Sequence, residues 1–267
     1  MEHKYFNKTL KVVAHRGDSA YFPENTIPAF KSAAELGVDC IETDVHLTSD
    51  GVCVIWHDDT LKRLTGGNGL VSDKSYKELL TMDAGNMFTM DNGKTFPYRG
   101  KGIKIATLDE ALKAIPEMRF NVDLKDNNFD LVKEFAKIVR NNNAENRVLG
   151  ASFHDIILKK IRIFIPEIAS SFSKKEMRII VILNKLKILG FFSNFKANAA
   201  QIPEFNGKTK VLTKSLIKIF HKKGVKVHVW TVNKKEDMIR FYKMGVDTVM
   251  TDDPRLLIET VNEMTKK

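Results

Sequence analysis

Strand-like and helix-like segments alternate along most of this 267-residue chain, and that alternation restricts the fold more tightly than any single motif. Apolar, β-prone runs at 10–14, 39–47, 118–124, 147–153, 167–172, 197–202, 226–232 and 248–251 are each followed by a stretch of helical period. Those helices are expected at 26–36, 107–114, 129–141, 155–164, 174–189, 213–222 and 235–244. A last one opens at Asp253-Pro254, a capping residue with proline at the first helical position. Eight such units over about 250 residues are the pattern of an α/β fold of the (β/α)8 TIM-barrel type. A doubly wound open sheet is the alternative, and the lack of a glycine fingerprint after the first strand counts against it.

The alternation lapses once. From about residue 59 to 105 apolar residues thin out and turn residues crowd in, as at Gly66-Gly67-Asn68-Gly69, Asp91-Asn92-Gly93 and Gly100. This predicts a small loop-rich insertion after the second barrel strand unit, within one barrel domain spanning 1–267. Gly93-Lys94-Thr95 and Gly207-Lys208-Thr209 fail as phosphate loops, because Phe88 and Ile202 stand where the earlier glycine is needed.

Ionisable residues are concentrated where strands should avoid them. In the run 39–47 a period of two puts Cys40, Glu42, Asp44 and His46 on one face and Ile41, Thr43, Val45 and Leu47 on the other. Two carboxylates on one face repel unless a cation lies between them or one keeps a proton. His15-Arg16 closes the first strand, with Gly17 permitting a tight turn behind it, and His57 closes the run 52–56. Asn121, Asp123 and Lys125 share a face of the run 118–124 and its exit. Strand C-termini of a barrel converge on one mouth. Glu42, Asp44 and Asp123 are therefore expected to meet there, ringed by His15, His57, Arg16 and Lys125. Three oxygen ligands suit Ca²⁺ or Mg²⁺ better than zinc. With two cationic side chains for a phosphate and two imidazoles for proton transfer, the grouping describes phosphodiester cleavage.

Composition narrows the classes further. A hydrophobic content of 43% and a charged content of 28% are those of a water-soluble globular protein. The formal charge of +10 raises nucleic acid as a partner, but the lysines are spread along the chain rather than gathered with aromatics into a stripe. Cys40 and Cys53 are expected as buried, reduced thiols. The first residues lack the apolar core of a secretion signal and no run is long enough to span a bilayer, so a cytoplasmic location is expected.

Taken in order, the segments His15-Arg16-Gly17, Pro23-Glu24-Asn25-Thr26, Ile41-Glu42-Thr43-Asp44-Val45, His57-Asp58, Asn121-Val122-Asp123-Leu124-Lys125, Trp230-Thr231-Val232-Asn233, Gly245-Val246-Asp247 and Thr251-Asp252-Asp253-Pro254 resemble the glycerophosphodiester phosphodiesterases. The resemblance covers nearly the whole chain and implies a TIM-type barrel with a small inserted domain. It implies hydrolysis of glycerophosphodiesters such as glycerophosphocholine or glycerophosphoethanolamine to glycerol 3-phosphate and an alcohol. By position it implies His15 and His57 as the acid–base pair and Glu42, Asp44 and Asp123 as ligands of one divalent cation. It implies Arg16 and Lys125 on the phosphate, with Trp230 and Glu24 at the pocket. The family usually carries glutamate where this chain has Asp123, a side chain shorter by one bond of about 1.5 Å.

Several other residues are weighed and placed outside the chemistry. His46 lies beyond the acids, toward the turn, and is expected to be exposed or to pack; His228 is expected to be buried and hydrogen-bonded. Asp252 is expected to help close the barrel and to cap the last helix. The basic, apolar segment 174–195 is expected to be a barrel helix packed on the sheet; peripheral contact with a membrane, giving access to lysophospholipids, is its alternative. A lysophospholipase D-type enzyme and a non-catalytic phosphate-binding barrel are the other functional readings.

Overall fold

In a computed structural model of the chain, which describes residues 3–191 and 195–266, the strands are β1 (Val12–His15), β2 (Cys40–Leu47), β3 (Cys53–Ile55), β4 (Phe120–Leu124), β5 (Val148–Ala151), β6 (Ala169–Ser170), β7 (Ala199–Ile202), β8 (Phe205–Asn206), β9 (Thr209–Lys210), β10 (Lys226–Val229) and β11 (Thr248–Thr251). The parallel order β6-β5-β4-β2-β1-β11-β10-β7 accounts for eight of them. The ring closes through a parallel bridge between Ser171 and Ala199, where the Phe172 amide donates to the Ala199 carbonyl at 3.2 Å. The structure is therefore a TIM-type barrel, with β3 added as an antiparallel partner of β2.

Alternation along each strand divides the core in two. Val12, Ala14, Ile41, Val122, Val148, Ala200, Val227 and Val249 face outward and are buried with the apolar stripes of the surrounding helices. Val13, Cys40, Leu149, Ala169, Ala199 and Met250 face inward and form a second cluster with Tyr5 and Phe6. These two aromatics come from a short turn at Lys4–Phe6, and the Tyr5 hydroxyl lies 3.0 Å from the Cys40 sulfur. Both cysteines are free and buried, and burial pushes the Cys40 thiol up to about 12, so it stays protonated.

The helices at Phe129–Asn141, Asp155–Phe164 and Lys235–Met244 match their sequence expectations end to end. Others differ for physical reasons. The helix beginning at Lys174, held by a Ser173–Glu176 capping box, stops at Lys185; Lys187 then takes a left-handed conformation (φ 60°) and a 3-10 turn follows at Leu189–Phe191. Residues 192–194 of the expected segment lie outside the described residues. Only Met177 and Ile180 of that helix are buried. The segment 59–105, read as poor in apolar residues, packs Leu61, Leu64, Val71, Leu79, Ala84 and Ile105 against Val54 and Trp56 of the β3 run in a cluster separate from the barrel core. No helix among the described residues is long and apolar enough to cross a membrane.

Candidate active site

Strand register brings the acids together. His15 is paired with Glu42, Glu42 with Asn121, and Asp44 with Asp123, so these side chains share the inner face of adjacent strands. Arg16 follows β1 in a left-handed conformation (φ 59°), its amide donating to the Glu42 carbonyl at 2.9 Å and to the Glu42 carboxylate at 3.2 Å. Gly17 (φ +86°) completes the turn against Ala29, where an added Cβ would meet backbone at 2.8 Å. His57 arrives by a different route. β2 runs past the acids to Leu47, and β3 returns antiparallel beside it. The Trp56 amide then donates to the Asp44 carbonyl at 3.0 Å, which sets His57 at the mouth. The hairpin is the one expected from Ser49-Asp50-Gly51, a turn leading into 52–56 with His57 at its end.

Asp44 is the electrostatic centre. The Lys125 ammonium donates to it at 2.7 Å, Asn25 donates at 2.9 Å, and the Arg16 Nε lies 3.2 Å away. Lys125 also donates to Asp123 at 2.8 Å. Burial alone would raise the Asp44 carboxyl, but Lys125 and Arg16 outweigh it and hold Asp44 below its ordinary range. Glu42 is raised, by burial and by the charge of Asp44; Asp123 is raised mainly by burial.

Each imidazole is held at Nδ1 by a carboxylate. Asp252 takes His15 at 2.6 Å and is in turn fixed by Asn233 at 2.6 Å, while Asp58 takes His57 at 2.7 Å. Burial would lower His15, but Glu42 and Asp252 leave it above its ordinary value; His57 is lowered by burial. Asp58 is brought down to about 2 by Arg63 and His57, against the opposing effect of burial. Arg63, from the insertion, also clamps Glu24 through two contacts of 2.8 Å, and Glu24 binds Arg16 at 2.7 Å. One unbroken chain of ion pairs thus runs from Arg16 through Glu24 and Arg63 to Asp58, whose carboxylate holds His57.

His15, Arg16, Glu42, Asp44, His57, Asp123, Lys125 and Trp230 all line one cavity of about 530 Å³, and Glu24 stands behind Arg16. Among the described residues, no three acidic, imidazole or thiol side chains are grouped to hold an ion as they stand; the Lys125 ammonium joins Asp44 to Asp123. The donor chemistry nevertheless fits a hard cation. All three acids offer oxygen, and the buried Asp123 Oδ1 and Asn121 Oδ1 have no hydrogen-bond partner.

Two expectations need correcting, and a third is decided between its alternatives. Asp252 does not cap the last helix; Asp253 does, at 3.0 Å, while Asp252 orients His15. Of the two roles expected for His46, the structure shows the packed one: it is buried, with its ring between Asp126 and the His57 carbonyl. His228 is buried with both ring nitrogens unpartnered, not hydrogen-bonded. Asn25, Asp58 and Asn233, quoted within the motifs, were given no part in the site, and Arg63 was not singled out at all. Asn25 could have been found from its place between Glu24 and Thr26 in the second motif; Arg63 lies in the insertion and carries no local signal.

The family model for the glycerophosphoryl diester phosphodiesterase family matches residues 15–256. The chain belongs to this family. A glycerophosphodiester phosphodiesterase of Caldanaerobacter subterraneus subsp. tengcongensis is 36% identical over 266 residues, covering 96% of this chain and 99% of that relative. A human lysophospholipase D is 28% identical over 268 residues, covering 92% and 84%. Among solved structures, an Oleispira antarctica phosphodiesterase in complex with the product sn-glycerol-3-phosphate superposes with a TM-score of 0.79 at 26% identity, covering 97% of this chain and 99% of that one. A Mycobacterium tuberculosis glycerophosphoryl diester phosphodiesterase domain gives 0.83 at 25%, covering 96% and 100%. Like these family members, the chain is a phosphoric diester hydrolase, a glycerophosphodiester phosphodiesterase with a small-molecule substrate, which sets aside the non-catalytic barrel.

Proposed function

We propose that the enzyme hydrolyses glycerophosphocholine, glycerophosphoethanolamine and similar glycerophosphodiesters to glycerol 3-phosphate and an alcohol, with His15 and His57 as the acid–base pair. The observation that carries this is the convergence of both carboxylate-held imidazoles on one cavity with Arg16 and Lys125. A single divalent cation, Ca²⁺ or Mg²⁺, held by Glu42, Asp44 and Asp123, supplies charge neutralisation at the phosphoryl oxygens when bound. Arg16 and Lys125 bind the phosphate and stabilise the charge that builds on it. Asp252 and Asp58 fix the tautomer and direction of their imidazoles, leaving each Nε2 for proton transfer. One histidine takes the proton of the nucleophile and the other gives a proton to the leaving alkoxide.

The test is release of glycerol 3-phosphate from each substrate by the purified chain, before and after treatment with chelator. Release that stops on chelation and returns with Ca²⁺ or Mg²⁺ is expected. Undiminished release in chelator removes the cation from the reaction.

A second reading has one observation in its favour. The cavity extends from the phosphate site along an apolar wall of Phe153, Phe172, Met177, Val181, Ile182 and Ile202, more than a glycerophosphodiester head group can cover. An acyl chain matches that wall, so lysophospholipids are proposed as alternative substrates, as in a lysophospholipase D.

A further inference from the structure

The helix Lys174–Lys185 presents two adjoining faces, and only one of them serves the cavity. Lys174, Met177, Arg178, Val181, Ile182 and Lys185 recur at helical spacing and line it. One step round the helix stand Lys175, Ile179 and Leu186, with Ile182 shared between the two faces. Ile179 is 48% exposed, Ile182 50%, Leu186 61% and Phe191, just beyond, 86%. Isolated apolar residues on a surface need no explanation, but these are contiguous and run into the wall of the active-site cavity. Phe153, just after the adjacent strand β5, is 52% exposed and also lines the cavity.

Charge indicates what covers this lip. Lys174, Lys175, Arg178, Lys185 and Lys187 are all exposed, and none of their side chains is in an ion pair among the described residues. Five unmatched cations around a band of large aliphatic and aromatic side chains form an interfacial surface, in which the apolar groups enter the lipid and the cations meet anionic head groups.

We propose that this lip, from Lys174 to Phe191, docks the enzyme on an anionic lipid bilayer with the cavity mouth at the membrane surface. The proposal rests on the phosphodiesterase reading only for the identity of the cavity. Docking would let a single-chain phosphodiester lipid pass from the bilayer along Ile182 to the phosphate site without crossing water.

The test is flotation of the full chain with vesicles of phosphatidylcholine alone, or of phosphatidylcholine with phosphatidylglycerol. Two variants accompany it, Ile179→Ser/Leu186→Ser/Phe191→Ser and Lys175→Glu/Lys187→Glu, with glycerophosphocholine hydrolysis measured in the absence of lipid. The wild type is expected to float with anionic vesicles and not with neutral ones. Each variant is expected to lose at least about tenfold in vesicle binding while hydrolysing glycerophosphocholine within about twofold of wild type. Failure of the wild type to bind anionic vesicles overturns the proposal, and so does undiminished binding by the serine variant, which would reduce the contact to charge alone. Vesicle binding without glycerophosphocholine hydrolysis in any of the proteins supports the docking surface and counts against the activity, so the two ideas fail separately.

Discussion

The two halves of the barrel mouth are built on opposite terms. On the side of β1, β2 and β4, the charged groups are tied to one another: Asp44 accepts from Lys125 and Asn25 with the Arg16 guanidinium 3.2 Å away, both imidazoles have carboxylates, and Arg63 ties the phosphate-side arginine to His57. On the side of β5, β6 and β7 large apolar side chains dominate the wall, edged by Lys174, Arg178 and Lys185, and its outer helix is half exposed. The first half holds charge in fixed directions, as transition-state stabilisation requires. The second offers area without direction, as suits an acyl chain or a lipid surface.

The largest expected effect tests whether turnover belongs to the polar half alone. His15→Ala or His57→Ala should each lower kcat/KM for glycerophosphocholine by about 10²–10⁴-fold, the usual contribution of a general acid or base. Thermal unfolding should show each variant folded. An equal loss from Ile179→Ala, on the exposed apolar face, would erase the distinction.

A smaller effect sharpens it within the polar half. Arg63 touches neither cavity nor imidazole, yet it joins Glu24 to Asp58. Arg63→Ala should lower kcat about 10–100-fold, the range typical when outer partners of reactive groups are removed, with Arg63→Lys between it and wild type. A group that only supports folding would move the melting temperature and leave the pH profile alone. Arg63→Ala should instead shift the profile, because it frees the Asp58 carboxylate that holds His57. An unchanged profile with full kcat would show that the insertion does not reach the chemistry.

The contrast also explains what could be read from the sequence. The barrel was legible because βα alternation is a long signal, and the acids were legible because charged residues at a period of two inside strands have no other good explanation. Asp252 was misread since an Asp beside Asp253-Pro254 looks like a helix cap, and only the closing of β11 against β1 shows which of the two faces His15. The apolar half was least legible. Met177, Val181 and Ile182 sit at the same spacing as core residues, and a sequence does not distinguish a helix stripe facing a sheet from one facing a cavity.

A third histidine gives the smallest and cleanest test. His15 and His57 reach the mouth and find carboxylates; His228, on β10, points into the barrel interior with the Phe6 ring 6.1 Å away and no partner on either nitrogen. Burial pulls it down to about 4, from 6.5 for an exposed imidazole, so the folded protein keeps it neutral. Because the folded-state value lies below the unfolded one, the unfolded chain takes up the proton first as the pH falls. This residue's contribution to stability is therefore complete above pH 6.5 and is lost progressively between 6.5 and about 4. The slope approaches about 1.4 kcal/mol per pH unit, for a total of about 3 kcal/mol. Subtracting the denaturation free energy of His228→Leu from that of wild type at each pH removes the contribution of the other carboxylates and imidazoles. The difference should be flat above pH 6.5 and should fall by about that amount toward pH 4. A difference that stays flat throughout would mean that His228 has found a partner, and that the polar character of the mouth extends deeper into the barrel than its inner apolar cluster implies.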